Sequence, residues 1–449
     1  MTASSTLAGP LASAVRKARW RLTPFLALMF ALSMLDRSNV GFVKAALQTD
    51  ANIGNAAFAL GAGIFFFGYA VFEVPSNLIM HRVGAKLWMS RIMVTWGLAS
   101  AAMMFVHDTT SFYVMRFILG VAEAGFSPGV ILYSTYWFPA SERGKALGLY
   151  WFGAPVAFVL GGPLSGALLQ YVGGSFGLRG WQWMFVVEGI AASVVGVIAF
   201  FYLASRPRDA KWLSQPERDA LEAAIAQEER GKVEHGPRGA LAALVNGRVL
   251  YLVAICFTIQ VCIYGLIFYL PTRISELTGD AIGMKVGMLT TIPWLCALVA
   301  LPFVTGYADA HAQHRRCAVA MLALAAGGIA LSTFGHSIVF AFVALCVATV
   351  GAIIVQPLFW TLPAGYLSGT AAASGIALIG SLGNLGGFVA PTLKTAAETV
   401  FASQRAGMFA LAITGALGVL MLVATRFARE RAPDDRAPDV GVVPGTTPR

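Results

Sequence analysis

The sequence predicts an all-α integral membrane protein: twelve transmembrane helices in two pseudo-symmetric six-helix bundles. Three observations carry that prediction. Of 449 residues, 57% are hydrophobic and only 12% charged, whereas soluble domains carry about 25% charged residues. Apolar stretches near the ~20 residues a helix needs to cross hydrocarbon recur from one end of the chain to the other. A single long polar segment, Ser205 to Arg248, divides them six and six.

Hydropathy places the spans at 22–48, 57–80, 87–106, 111–134, 146–170 and 182–204, then at 249–272, 284–308, 317–335, 338–366, 372–396 and 405–426. Basic residues crowd the segment before the first span (Arg16, Lys17, Arg19, Arg21) and the 2–3 turn (His81, Arg82, Lys86, Arg91). They recur in the 4–5 turn (Arg143, Lys145), the connector, the 8–9 turn (Arg315, Arg316) and after the last span (Arg426, Arg429, Arg431). Those loops share one side of the bilayer. The opposite loops hold only scattered cations: Lys44, Arg179, Arg273, Lys285, Lys394 and Arg405. The positive-inside rule therefore puts both termini in the cytoplasm; the location expected is the cell inner (plasma) membrane.

The resulting organisation is a cytoplasmic N-terminal segment (1–21), a first bundle (22–204), a cytoplasmic connector (205–248), a second bundle (249–427) and a disordered cytoplasmic tail (428–449). Within the connector, Ser214-Gln215-Pro216-Glu217 has the spacing of a helix capping box and predicts a surface helix over 216–229. Two six-span halves joined this way follow the parallel-repeat plan of many secondary transporters. Gly61, Gly63, Gly68, Gly383, Gly386 and Gly387 fall inside spans, where small residues let helices approach closely.

Other classes are disfavoured. A net charge of +10 invites a nucleic-acid reading, but the cations are spread over loops rather than gathered on one face. The cysteines Cys256, Cys262, Cys296, Cys317 and Cys346 lack metal-site spacing and read as core residues without disulfides. The basic N-terminus and its apolar run lack a clear small-residue cleavage site, so the run is a retained span and not a signal peptide. No phosphate-binding loop or dinucleotide fingerprint is present, nor a paired nucleophile and base, so neither an enzyme nor a cofactor is expected.

The informative residues are polar ones inside spans, where each ionisable group costs about 2.5–3.5 kcal/mol at the helix centre and so tends to face an interior or aqueous path. Asp36 and Arg37 in "SMLDRSNVGF" point ~100° apart on a helix and need separate partners. In "MRFILGVAEAGFSPG", Arg116 and Glu123 are seven residues apart, so they share a face about 10 Å apart along the axis. A carboxylate there has its proton affinity set by burial against nearby cations, which is the physics that proton coupling needs. Tyr69 and Glu73 share a face in the second span, Tyr69 as a hydrogen-bond donor to an anion and Glu73 as a cap or gate. Glu188 in the sixth span reads as structural. In the second half, Gln260, Tyr264, Gln356, Trp360 and Asn384 are the polar or amphipathic candidates for ligand contact.

These residues form familiar patterns. "NLIMHRVGAK" resembles the 2–3 loop signature of the major facilitator superfamily, with Arg82, Gly84 and Lys86 in place but Asn77 for the usual Gly and His81 for the usual Asp. Gly306, Asp309 and Arg315/Arg316 resemble a degraded copy in the 8–9 turn. "LDRSNVGF", "GYAVFEVPSNL", "RFILGVAEAGFSPGVILYSTYWFPASERGKA", "GGPLSG" and "SLGNLGGFVAP" together resemble the anion:cation symporter family of that superfamily, whose members take up organic anions such as tartrate, phthalate, hydroxyphenylacetate and sugar acids, usually with protons. The resemblance implies proton coupling by Asp36 and Glu123, a substrate-carboxylate ligand in Arg37 with Arg116 as its charged neighbour, a cavity role for Tyr69, loop roles for Arg82, Gly84 and Asp309, and a monomer. Where the family often has Asn, this chain has Gly380, which favours a less hydroxylated or bulkier carboxylate.

The function expected is import of a small organic anion by proton symport. Drug/proton antiport is the alternative, resting on "GGPLSGALL" in the fifth span, and Arg37 and Arg116 suit anions better. A non-transporting membrane sensor would need a soluble signalling domain, for which neither the connector nor the tail is long enough.

Overall fold

The computed structural model describes residues 9–234, 246–334, 337–366 and 369–425. Sixteen α-helices build it. The first bundle contains α1 (Gly9–Asp50), α2 (Asn55–Val83), α3 (Ala85–Ala102), α4 (Thr109–Glu123), α5 (Phe126–Trp137), α6 (Ala140–Trp151), α7 (Gly153–Tyr171) and α8 (Gly180–Tyr202). The surface helix α9 (Gln215–Glu234) follows. The second bundle contains α10 (Gly247–Thr278), α11 (Met284–Ala310), α12 (His314–Leu331), α13 (Ile338–Tyr366), α14 (Gly369–Asn384), α15 (Gly386–Val400) and α16 (Gln404–Ala424). Three crossings are made of two helices end to end: α4 with α5, α6 with α7, and α14 with α15.

Ten of the crossings are long and apolar enough to span a bilayer on composition alone. The third pass, α3, falls short because Lys86, Ser90, Arg91, Thr95 and Ser100 dilute it. It is nonetheless packed along its length against α8, where Gly97 and Gly189 bring the two backbones together. The rim of the bundle exposes Phe201, Phe303, Val339 and Leu420, an apolar surface suited to lipid.

The broken helices repeat between halves. The fifth crossing breaks before Gly153 and the eleventh before Gly386. A Cβ on Gly153 would strike the carbonyl oxygen of Ala27 on α1, and one on Gly386 would strike that of Phe257 on α10. The fifth helix of each half is thus pinned to the first helix of its own half by the same device, as an internal repeat requires. The fourth crossing breaks at Ala124–Gly125, where Gly125 adopts φ +85° and leaves no room for a side chain beside Ser76. Ser76 donates a 2.7 Å hydrogen bond to the Ala124 carbonyl that the break exposes. At the 2–3 turn, Gly84 takes φ +91° between α2 and α3, a conformation that favours glycine.

The halves meet on the side away from α9. There Gly162 and Gly166 of α7 lie against the backbone of Gly287 and Gly283 of α11, with Gly63 of α2 against Phe388 of α15 and Gly41 of α1 against Phe268 of α10. On the side of α9, the first helix continues unbroken back to Gly9, well before the span expected at 22. Its polar turns are held by Ser13 and Lys17, which donate to Glu217 at 2.7 and 2.9 Å, and by Arg19, which pairs with Glu142. Glu217 also accepts the Ser214 amide at 2.8 Å, the half of the expected capping box that starts α9. Those donors, Lys17 first, hold the Glu217 carboxyl down at about 2.

Two expectations need amendment. Cys256 and Cys262 are buried, but Cys296 is exposed on the outer face of α11; a helix apolar all round does not reveal which face meets lipid. Lys394, counted among loop cations, is buried within α15 and pairs with Glu398 at 2.5 Å. The expected disordered tail, from 428 onward, lies outside the described residues.

Candidate functional site

Asp36 and Arg37 part company as helical geometry requires. Arg37 is 5% exposed and turns towards the break in the fourth crossing. Its Nε and Nη2 donate to the same oxygen of Glu123, Oε1, at 2.9 and 2.7 Å. Ser33, one turn earlier on α1, donates to that oxygen as well at 2.6 Å. Glu123 is 0% exposed, and its second oxygen, Oε2, is buried with no hydrogen-bond partner among the described residues. One carboxylate oxygen therefore carries three donors while the other carries none.

The remaining amino group of Arg37 reaches across to the second half. Nη1 donates to the Tyr264 hydroxyl at 3.0 Å, and the guanidinium lies over the Tyr69 and Phe65 rings at 5.0 and 5.4 Å. Tyr69 therefore offers Arg37 its π face, a cation–π contact. Phe66 packs on Tyr264 with ring centroids 4.4 Å apart.

One turn before Tyr264, Gln260 starts a line of amides. Gln356 donates to Gln260 at 2.6 Å, and Gln260 donates to Asn384 at the break between α14 and α15. Trp360 lies one turn beyond Gln356, partly exposed, and a Cβ on Gly380 would sit 3.8 Å from its ring. The first half thus contributes charge, and the second half contributes hydroxyl, amide and indole.

Asp36 is not brought to this cluster. It is 3% exposed and turns to the far side of α1. There Ser100 donates to it, as do Trp96 at 3.1 Å and Asn39 at 3.3 Å. Arg116 is 1% exposed and does not face open space beside Glu123. It donates to the carbonyls of Gly61 and Ala62 at 3.3 and 3.2 Å and lies over the Phe65 ring at 4.9 Å. Glu73 accepts a 2.6 Å hydrogen bond from Ser381 of α14, a link between the halves. Arg82 is exposed beside Gly84, and the exposed Asp309 meets His314 at 2.6 Å in the 8–9 turn.

Ser33, Asn39, Trp96 and Ser100 belong to these networks and are absent from the sequence-based set. Their signal was spacing: Ser33 to Arg37 is i to i+4, Asp36 to Asn39 is i to i+3, and Trp96 to Ser100 is i to i+4. A separate cavity of about 370 Å³ opens in the second half on the side away from α9, between Tyr269, Arg273, Glu276, Lys394, Glu398 and Arg405. Arg273 and Lys394 there are already paired with Glu276 and Glu398. Among the described residues no His, Cys, Asp or Glu group has the arrangement to hold a metal ion.

The Major Facilitator Superfamily profile matches residues 26–391, and the chain belongs to that superfamily. It is 45% identical over 428 residues to the inner membrane transport protein RhmT of Escherichia coli (strain K12), covering 95% of this chain and 98% of that one. A protein of Agrobacterium vitis named as a tartrate transporter is 42% identical over 85% of this chain and 84% of its own length. Among solved structures, the inward open conformation of the xylose transporter XylE from E. coli superposes with a TM-score of 0.70 at 16% identity, covering 90% of this chain and 96% of that chain. The protein is accordingly a multi-pass membrane transporter and not an enzyme.

Proposed function

We propose that this transporter imports a small organic carboxylate together with protons across a bacterial inner membrane, with both termini and α9 on the cytoplasmic side. The observation that carries the reading is the one-sided grip on Glu123. Oε1 holds Arg37 through two hydrogen bonds while the buried Oε2 has no partner among the described residues. A carboxylate substrate is a second ligand for the same guanidinium, because Arg pairs with carboxylates through two parallel N–H bonds. A proton arriving on Glu123 cancels its charge and frees Arg37 for the substrate. Anion on Arg37 and proton on Glu123 are then mutually favourable, and the coupling is reciprocal by linkage. Empty carrier returns with the Arg37–Glu123 pair closed, so neither charge crosses unneutralised.

The far end of the substrate meets the second half. The Gln356–Gln260–Asn384 line supplies amide donors and acceptors, and Trp360 supplies a flat apolar wall. Gly380 leaves the space beside that wall unfilled, which suits an aromatic or dicarboxylic acid better than a sugar acid. The polar residue types fit a ligand with one carboxylate at Arg37 and a less hydroxylated body.

The test is isothermal titration of the purified protein with a panel of aromatic, dicarboxylic and sugar acids at several pH values. One of these acids binds with an affinity that rises as pH falls, with protons taken up from buffer, and Arg37→Ala weakens the binding by about 100-fold. Binding of cationic drugs in place of every acid would refute the carboxylate reading.

A further inference from the structure

A second acidic group lies on the opposite side of α1 from the Arg37–Glu123 pair. Asp36 and Glu188 are 3% and 4% exposed, and one amide joins them. Asn39 Nδ2 donates to Asp36 Oδ1 at 3.3 Å and to Glu188 Oε2 at 3.1 Å. All other donors to the two carboxyls are neutral: Ser100 and Trp96 to Asp36, and Ser165 to Glu188 at 3.0 Å. No Lys or Arg forms an ion pair with either carboxyl among the described residues.

The charged groups facing this pair from neighbouring elements are Arg116 and Glu123 of α4, while α3 and α7 contribute only Trp96, Ser100 and Ser165. Arg37 is taken by Glu123. If Asp36 and Glu188 are both ionised, Arg116 balances only one of them, and a buried negative charge is left over. A second observation points the same way. Asn39 is 0% exposed, its Oδ1 has no hydrogen-bond donor among the described residues, and the amide is held in place by its two donations to the carboxyls. Buried polar atoms are nearly always satisfied, and two like charges at a shared site do not both ionise readily.

We infer that Asp36 and Glu188, held together by Asn39, form one proton-binding site that carries a single shared proton. Glu188 is then a proton ligand and not only a structural residue of the sixth crossing. The site is separate from Glu123, and Arg116 is the cation that interacts with both Asp36 and Glu123: a proton gained at one site removes a negative charge that acts on the other. This inference rests on the proton-coupled reading of the transporter, in which the resemblance already gives Asp36 a proton role, and adds Glu188 and Asn39 to that site.

Infrared titration of the protein in lipid, set beside pH profiles of uptake, tests the site. A protonated-carboxyl band is expected at neutral pH that survives in Glu123→Gln and is lost in both Asp36→Asn and Glu188→Gln. The pH midpoint of proton-driven uptake is expected to move by about one unit or more in Glu188→Gln, which keeps the hydrogen bond from Ser165. A Glu188→Gln protein with the wild-type band and the wild-type pH midpoint overturns the inference while leaving proton-driven transport intact. Wild-type uptake indifferent to pH would instead defeat the broader reading, and the infrared bands would still decide the shared proton. Should Glu188→Gln not fold, the Glu123→Gln background decides alone: absence of the band there overturns the site.

Discussion

The two faces of α1 handle charge in opposite ways. On one face Arg37 meets Glu123 directly, and a third donor, Ser33, lands on the same oxygen. On the other, Asp36 meets only neutral donors and a neighbouring acid through an amide. The first arrangement is a buried ion pair, strong when closed and costly when one partner is removed. The second is a buried acid that forms no ion pair among the described residues and interacts with Arg116 only at longer range. Two residues adjacent in sequence therefore sit in two electrostatic environments, separated by the width of one helix. The ion pair faces the second half through Tyr264, and the acid pair faces the interior of the first half through Trp96, Ser100 and Ser165.

Removing Arg37 is the most severe way to break this contrast. Arg37→Ala leaves Glu123 buried and unpaired, so the protein should lose about 3–5 kcal/mol of stability, read as a lowered melting temperature in detergent. Anion affinity should fall by about 100-fold, the worth of a charge-assisted bidentate contact. Adding Glu123→Gln to it should restore the stability and not the binding. A sterically driven effect comes next. Gly162→Leu would force apart the close contact between α7 and α11, an overpacking cost of about 1–3 kcal/mol. The side away from α9 should open, seen as longer spin-label distances between the halves there and as slower uptake.

Smaller effects sharpen the comparison at the second half and at the connector. Gly380→Asn places an amide beside Trp360 and should shift preference towards hydroxylated acids by about 0.5–1.5 kcal/mol, measured as a ratio of affinities for a sugar acid and an aromatic acid. Glu217→Gln loosens the tie between α1 and α9 and should cost about 1 kcal/mol or less, because Lys17 is half in solvent and the pair is screened. Because the folded carboxyl is held at about 2, below its usual 4.5, this contribution is complete above pH 4.5. It fades as pH falls towards 2, so wild type and variant should converge in acid when melting is followed against pH.

Much of this was legible in the sequence because it depends on long-range averages. The helical crossings and the surface helix that starts after Ser214 follow from hydropathy and spacing, and Arg37, Glu123, Tyr264 and Asn384 stand out as polar groups inside apolar runs. What was not legible depends on which way a helix is turned. Asp36 and Arg116 look equally able to face Glu123 until the packing of α3 and α2 claims them. Glu188 looks like a lone structural acid until Asn39 is seen to bridge it to Asp36. The breaks at Gly125, Gly153 and Gly386 were hidden because glycine inside a span serves close packing as often as it ends a helix. That Arg37 lies over the Tyr69 ring likewise depends on how α1 and α2 are turned.

The central claim is that Arg37 passes between Glu123 and the anion as a proton arrives and leaves. Its most direct test is carboxylate uptake into proteoliposomes with an imposed pH gradient, run beside counterflow exchange, for wild type and Glu123→Gln. Wild-type uptake should follow the gradient, and Glu123→Gln should exchange substrate across the membrane while ignoring the gradient. Wild-type uptake that ignores the gradient, or a Glu123→Gln protein that still follows it, would contradict the claim.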